Sequence, residues 1–315
     1  MLKKEVSLKG NSFAVRVKKD FLRNKYVYLM AIPVLLYYIA FCYMPMYGAI
    51  IAFKNYKIVD GILGSEWVGL QWFIKFINDY SFVRVLKNTV LLSFFSILWT
   101  FPAPIIFALF LNEIRSNKYK RVVQTLTYLP HFISLVVICG LIVQFVGRDG
   151  MITSILVNVF GMERTNLLAD PAKFRTIYIL SELWQGIGWN SIIYLSALSA
   201  IDLQLYEAAE LDGAGRWRKM FHITIPSIVP TIIIMLILKL GHFMTIGYEK
   251  VMLLYSPNIY ETADIISTYV YRIGLLEGAQ YSYSTAIGLF NSIINVMILI
   301  IANKISNKVT GQGLW

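Results

Sequence analysis

The chain has 315 residues, of which 57% are hydrophobic and only 15% charged, with a mean hydropathy of +0.61 and a formal net charge of +11. Soluble domains carry about a quarter charged residues because water wets their outsides, so this composition excludes an ordinary soluble protein and makes a bilayer the expected solvent. The positive charge alone would suit nucleic-acid binding, but the basic residues lie between long apolar runs, which is the pattern of a multi-pass membrane protein.

In chain order, residues 1–25 form a basic arm carrying Lys3, Lys4, Lys9, Arg16, Lys18, Lys19, Arg23 and Lys25. No apolar core or small-residue cleavage site interrupts it, so the first apolar run is expected to stay in the protein. From residue 13 to 26 basic and apolar residues alternate at helical spacing, which predicts an amphipathic helix on the membrane surface. Six runs free of Asp, Glu, Lys and Arg follow: Tyr26–Phe53, Asn88–Asn112, Val122–Gly147, Leu183–Ile201, Met220–Leu238 and Gly278–Asn303. About 20 helical residues at 1.5 Å each cross a bilayer core of about 30 Å, so six transmembrane helices are expected in an all-α polytopic fold. The runs lack the period-two alternation of membrane barrel strands. The uncharged piece Gly150–Met162 is too short to span and reads as an interfacial or re-entrant segment. Residues 26–303 then make one membrane domain, with 304–315 as a tail, since no linker or repeat divides the chain.

With the N-terminus in the cytoplasm, 17 Lys and Arg residues fall on the cytoplasmic side and 11 on the external side, with Lys239 inside a span. Both termini are therefore expected to be cytoplasmic. The sequence contains no HExxH, GxSxG or CxxC pattern and no GxxxxGK[ST] phosphate loop. An enzyme is not expected, nor hydrolysis of ATP, nor a metal or cofactor held by this chain. Cys42 and Cys139 both sit in apolar runs, and the three histidines lack metal-ligand spacing.

Between the fourth and fifth spans, residues 201–226 are readable as a cytoplasmic helix-turn-helix. Leu203 to Leu211 are good helix formers, Gly213 and Gly215 break the helix, Arg216 to His222 resume a short one, and Pro226 suits the first turn of the next span. Ala208 and Ala209 keep a low profile that allows close approach of a partner, while Glu207 and Glu210 offer carboxylates. Glu207-Ala208-Ala209, Gly213 three residues on, and Ile223-Thr224-Ile225-Pro226 nine residues later resemble the EAA loop of ABC importer permeases. The family pattern ends Ile-x-Leu-Pro, and Ile225 is a conservative departure from it. Six spans with this loop between the fourth and fifth also resemble the maltose-permease-like, carbohydrate-uptake branch. The tail Gly311-Gln-Gly-Leu-Trp315 is similar to permeases for complex oligosaccharides in low-GC Gram-positive bacteria.

The resemblance implies the transmembrane subunit of an ATP-driven oligosaccharide importer in a bacterial plasma membrane. It implies coupling through Glu207, Ala208, Ala209, Glu210, Gly213 and Gly215. It further implies a second, homologous permease, ATPase subunits that hold ATP and Mg, and an external solute-binding protein. An ion-coupled secondary transporter is the alternative, and it is disfavoured because few acids sit at membrane depth and no inverted repeat is evident. For a solute path, sugars need aromatic faces and amides, which directs attention to Trp184, Gln185, Trp189 and Asn190 in the fourth span. Lys239, His242 and Asn291 are further candidates. Gln185 and Trp189, four apart, are expected to face the same way, with Trp184 turned elsewhere.

Overall fold

The computed structural model describes residues 20–311 apart from residue 22, together with 313 and 314. The amphipathic helix expected over 13–26 and the tail residues 312 and 315 lie mostly outside the described residues. The chain is helical nearly throughout. Its only strands among the described residues are the two-residue pair β1 (Lys54–Asn55) and β2 (Glu66–Trp67), antiparallel, which close the loop after the first apolar run.

Among the described residues, five helical runs are long and apolar enough to cross a membrane. The first, α1 (Lys25–Phe53), passes through a wide π-turn at Ile39–Tyr43 and tightens to a 3-10 helix at Tyr47–Phe53. Its most apolar stretch buries nothing within the chain, and only its last turns, where Ala52 is fully buried, pack against the final helix. The second run, α2 (Phe82–Glu113), is broken at Phe101 because Pro102 and Pro104 supply no N–H to the turn before them.

The expected span Val122–Gly147 is not one helix. Pro130 lies inside it, and the chain forms α3 (Asn117–Tyr128), a 3-10 turn at Leu129–Phe132, an extended link at Ile133 and Ser134, and then α4 (Leu135–Val146). Gly150–Met162 carries a further helix, α5 (Met151–Phe160), closed by Gly161 at φ +67°. Together α4 and α5 make the third run of crossing length, Leu135–Phe160.

The fourth expected span, Leu183–Ile201, is the second half of a 29-residue helix, α6 (Pro171–Ser199). Asp170 caps it by accepting from the Ala172 N–H at 2.9 Å, and Pro171 follows at the first position, where a missing N–H costs nothing. The capping bond and the Lys173 ammonium hold the Asp170 carboxyl below the ordinary carboxylate range. At roughly 43 Å it is long enough to cross, but Lys173, Arg175 and Glu182 make it more polar than the other five. A short helix, α7 (Leu203–Leu211), leads to α8 (Arg216–Leu240), which ends at Gly241. His242, a candidate for the solute path, therefore falls beyond it. After α9 (Tyr248–Leu254) and α10 (Ile266–Tyr271), the chain closes with α11 (Tyr281–Thr310).

Three apolar clusters hold these helices together. One centres on Ile138, Phe174 and Tyr178 with Val251 and Ile265; a second on Phe76, Met244 and Tyr283; a third on Ala108, Tyr194 and Ile228, at the end near α7. Between the first two lies a buried polar knot. Asp264, fully buried, accepts two hydrogen bonds from Arg272 at 3.1 and 2.7 Å, one from Thr268 at 3.0 Å, and an ion pair from Arg84 at 3.3 Å. Asn88 joins the same knot, donating to the Glu261 and Asp264 carbonyls and accepting from Arg175 of α6 at 2.8 Å.

Where α6 crosses α3, Gly188 is buried and a Cβ there would stand 2.3 Å from the Thr127 carbonyl oxygen and 2.9 Å from the Tyr128 ring. Backbone cannot yield as a flexible side chain does, so Gly188→Ala is expected to cost about 1–3 kcal/mol, read as a lowered unfolding temperature of the purified protein in detergent. An unchanged transition would show that the crossing is looser than the geometry requires.

Candidate functional site

Along α6, Tyr178, Glu182, Gln185 and Trp189 recur at steps of four, three and four, which places them on one side of the helix. Facing them, α2 presents Ser93, Ser96 and Thr100, all buried at the same helical spacing. The Ser96 hydroxyl donates to the Glu182 carboxylate at 2.6 Å. From α8, the Lys239 ammonium donates to the Thr100 hydroxyl at 2.6 Å. Three helices thus bring a carboxylate, an ammonium and a row of hydroxyls together at membrane depth, where such groups are costly unless they serve one another or a solute.

Two cavities open on this row and share Glu182. One, of about 220 Å³, is lined by Thr100, His131, Glu182, Gln185 and Asn190 among others. The other, of about 250 Å³, is lined by Ser93, Ser96, Glu182, Lys239, His242 and Thr245 among others. Trp189 stacks on His131 with ring centroids 4.4 Å apart and planes 6° apart, and meets Phe132 edge-on. Trp184 points elsewhere, into a larger cavity of about 730 Å³, whose walls are almost wholly apolar side chains of α4, α5 and α6. Such a cavity offers few partners for sugar hydroxyls.

Of the residues chosen from sequence, Gln185, Asn190, Lys239 and His242 line the two polar cavities, and Trp189 sits against His131 at their edge. Asn291 does not join them. Its amide nitrogen donates to the Met244 carbonyl at 3.0 Å while Asn295, one turn on, accepts from the Met244 N–H at 2.8 Å, so the pair clamps the unwound backbone after α8. Sequence reasoning passed over Glu182 as a site residue, set His131 aside, and missed Ser93, Ser96 and Thr100. The readable signal for the last three was a hydroxyl stripe at helical spacing in an otherwise apolar run.

At the other end, α7 is capped by the Asp202 side chain, which accepts from the Gln204 N–H at 3.0 Å. It closes with the paired bonds of a Schellman turn: the Ala214 N–H donates to the Ala209 carbonyl at 2.8 Å and the Gly213 N–H to the Glu210 carbonyl at 3.0 Å. This turn requires Gly213 at φ +73°, whereas Gly215 has an ordinary negative φ. The expected second short helix is not separate, because α8 runs unbroken from Arg216. A π-turn at Met220–Thr224 lies just before Pro226, whose ring nitrogen has no hydrogen for the His222 carbonyl four residues back.

Two ties fix α7 against α8: Tyr206 and Thr224 share a hydroxyl contact at 2.9 Å, and Lys219 pairs with Glu210. The start of α8 is in turn held to the end of α2, where Arg216 pairs with Glu113. The Lys219 hydrogen bond holds the Glu210 carboxyl below the ordinary carboxylate range. Leu203, Glu207 and Leu211, at steps of four, remain exposed on α7, Leu211 at 90%. Ala208 is exposed beside them and Ala209 is half-buried.

A family model described as the binding-protein-dependent transport system inner membrane component matches residues 100–310. The chain is 44% identical, over 93% of its length and 91% of the relative's, to the polygalacturonan/rhamnogalacturonan transport system permease protein YteP of Bacillus subtilis (strain 168). It is 42% identical to Protein LplB of the same organism, over 98% of this chain and 95% of the relative. A chain in the crystal structure of a bacterial alginate ABC transporter, in complex with an alginate pentasaccharide-bound periplasmic protein, superposes with a TM-score of 0.86 at 42% identity. It covers 95% of this chain and 100% of that chain. The chain therefore belongs to the family of binding-protein-dependent transport system inner membrane components.

Proposed function

We propose that this protein is the transmembrane subunit of an ATP-driven importer for oligosaccharides, with uronate-containing sugars as its cargo class. The observation that carries the transport reading is the polar row of Ser93, Ser96, Thr100, Glu182, Gln185 and Lys239 set inside apolar helices. Support for the cargo comes from two relatives at 42–44% identity, whose names specify polygalacturonan/rhamnogalacturonan and alginate. In this reading α6 is the fourth of six crossing helices, both termini are cytoplasmic, and the bacterial plasma membrane is the site of action. The path is completed by a second, homologous permease, α7 docks on an ATPase subunit that holds ATP and Mg, and an external binding protein delivers the sugar. The exposed apolar and acidic face of α7 supports the docking, since Leu203 and Leu211 are left uncovered by the other described residues.

The test is uptake of oligogalacturonide by vesicles holding this chain with its partner permease and ATPases, with binding protein outside and ATP inside. Uptake is expected to require ATP and to survive dissipation of ion gradients; uptake driven by a gradient without ATP would instead favour the secondary transporter. In the same assay Gln185→Ala and Trp189→Ala are expected to slow transport severalfold with little change in basal ATPase, because a site that must release its cargo holds each group only modestly. Wild-type rates in both would place the path off this face of α6.

A further inference from the structure

The cavity of about 250 Å³ between α2, α6 and the end of α8 is lined by one ammonium, Lys239, and one carboxylate, Glu182, and the same carboxylate also bears electrostatically on a second, buried lysine, Lys250. Lys239 gives one hydrogen bond, to Thr100, and an ammonium carries three N–H donors, so two remain for another acceptor. One turn from Glu182 on α6, the Tyr178 ring lies 5.4 Å from the ammonium of Lys250, a buried lysine whose nitrogen has no hydrogen-bond partner. Glu182 is thus the single carboxylate set among two lysines. In the same wall, the Ser93 hydroxyl is buried at 2% exposure and also lacks a partner. At low dielectric an unmatched ammonium and an orphaned hydroxyl are both unfavourable, and a guest bearing a carboxylate and hydroxyls satisfies both at once.

We propose that this cavity is a subsite for one uronate ring, in which Lys239 takes the sugar carboxylate and Ser93 a ring hydroxyl. Glu182, held by Ser96, balances the lysines while the site is empty. Lys239 is then the residue that makes the path prefer acidic over neutral sugar, a role that rests on the importer reading above. A neutral ring of the same shape fills the space and leaves the cation without its partner, so the discrimination lies in charge and not in size.

The experiment compares uptake of trigalacturonate with that of its fully methyl-esterified form, in vesicles of the complete complex with one and the same binding protein. The ratio of the two rates, taken for wild type and each variant, cancels the binding protein's own preference. Lys239→Gln is expected to lower the acid-to-ester ratio about tenfold, the scale of one hydrogen bond to a charged group. Lys239→Arg keeps the charge and most of the ratio, and Thr100→Val, which removes the anchor but not the ammonium, leaves it within about twofold. A wild-type ratio in Lys239→Gln overturns the proposal, as does a fall in Lys239→Arg equal to that in Lys239→Gln. A wild-type complex that takes up neither sugar with ATP overturns the importer reading instead.

Discussion

Replacing Asp264 with alanine is expected to destabilise the protein by about 3–5 kcal/mol, the cost of leaving a buried charge without its partner. The carboxylate is fully buried, and Arg272, itself 9% exposed at the side chain, loses both of its short hydrogen bonds when that carboxylate goes. Burial alone pulls the Arg272 guanidinium down, yet the hydrogen bonds and charge of Asp264 hold it above arginine's ordinary value. Arg84 and Thr268 each lose an acceptor too, and the loop that carries α10 loses one of its ties to α2. Unfolding of the detergent-purified variant, followed by denaturant titration, reads the loss. Asp264→Leu with Arg272→Met, which removes both charges, is expected to recover a large part of it; if the double variant is no better than the single one, the knot matters for its shape and not for its charge balance.

The second large effect is functional. Gly213→Val is expected to abolish coupled uptake while leaving the membrane helices folded and basal ATP hydrolysis by the partner measurable. A Cβ at Gly213 meets nothing within 4 Å, so the substitution acts through the backbone alone. At φ +73° a β-branched residue is strained by about 1–3 kcal/mol, and the turn relieves that strain by giving up the bonds from Gly213 and Ala214 that close α7. The helix face of Leu203, Glu207 and Leu211 is then misaimed. Gly215→Ala supplies the control, because its φ is negative and its surroundings are open, so uptake should stay near wild type. Normal coupling in Gly213→Val would sink the rigid-element account of α7.

Much of the framework is legible in the sequence because a bilayer imposes long apolar runs, and the glycine at 213 is legible because glycine, having no Cβ, is the residue best suited to a left-handed helix end. The misreadings have physical causes. A search for charge-free stretches necessarily starts α6 at Leu183, since Lys173, Arg175 and Glu182 are tolerated only through contacts with Asp170, Asn88 and Ser96 that are distant in sequence or lie before the run. Pro130 announces a break, but whether a proline kinks a span or divides it depends on the neighbour, here α6, that packs against the interruption. The partnership of Arg84 with Asp264 spans 180 residues and leaves no periodic trace. For the path, side-chain type suggested Gln185 and Lys239, while Asn291 shows that an amide on a helix face serves backbone and solute equally well until its bonds are known.

The polarity of α6 also bears on how the protein is made. A helix enters the bilayer from the insertion machinery according to its own hydrophobicity, and each Lys, Arg or Asp near a helix centre costs roughly 2.5–3.5 kcal/mol on that scale. With Glu182 and two basic residues in its first half, α6 is a poor candidate to partition alone, whereas α2, synthesised earlier, already presents Ser96 for Glu182 and Asn88 for Arg175. With α6 as the fourth of the six proposed crossing helices, its insertion is tied to the presence of α2, making the order of synthesis part of the folding pathway.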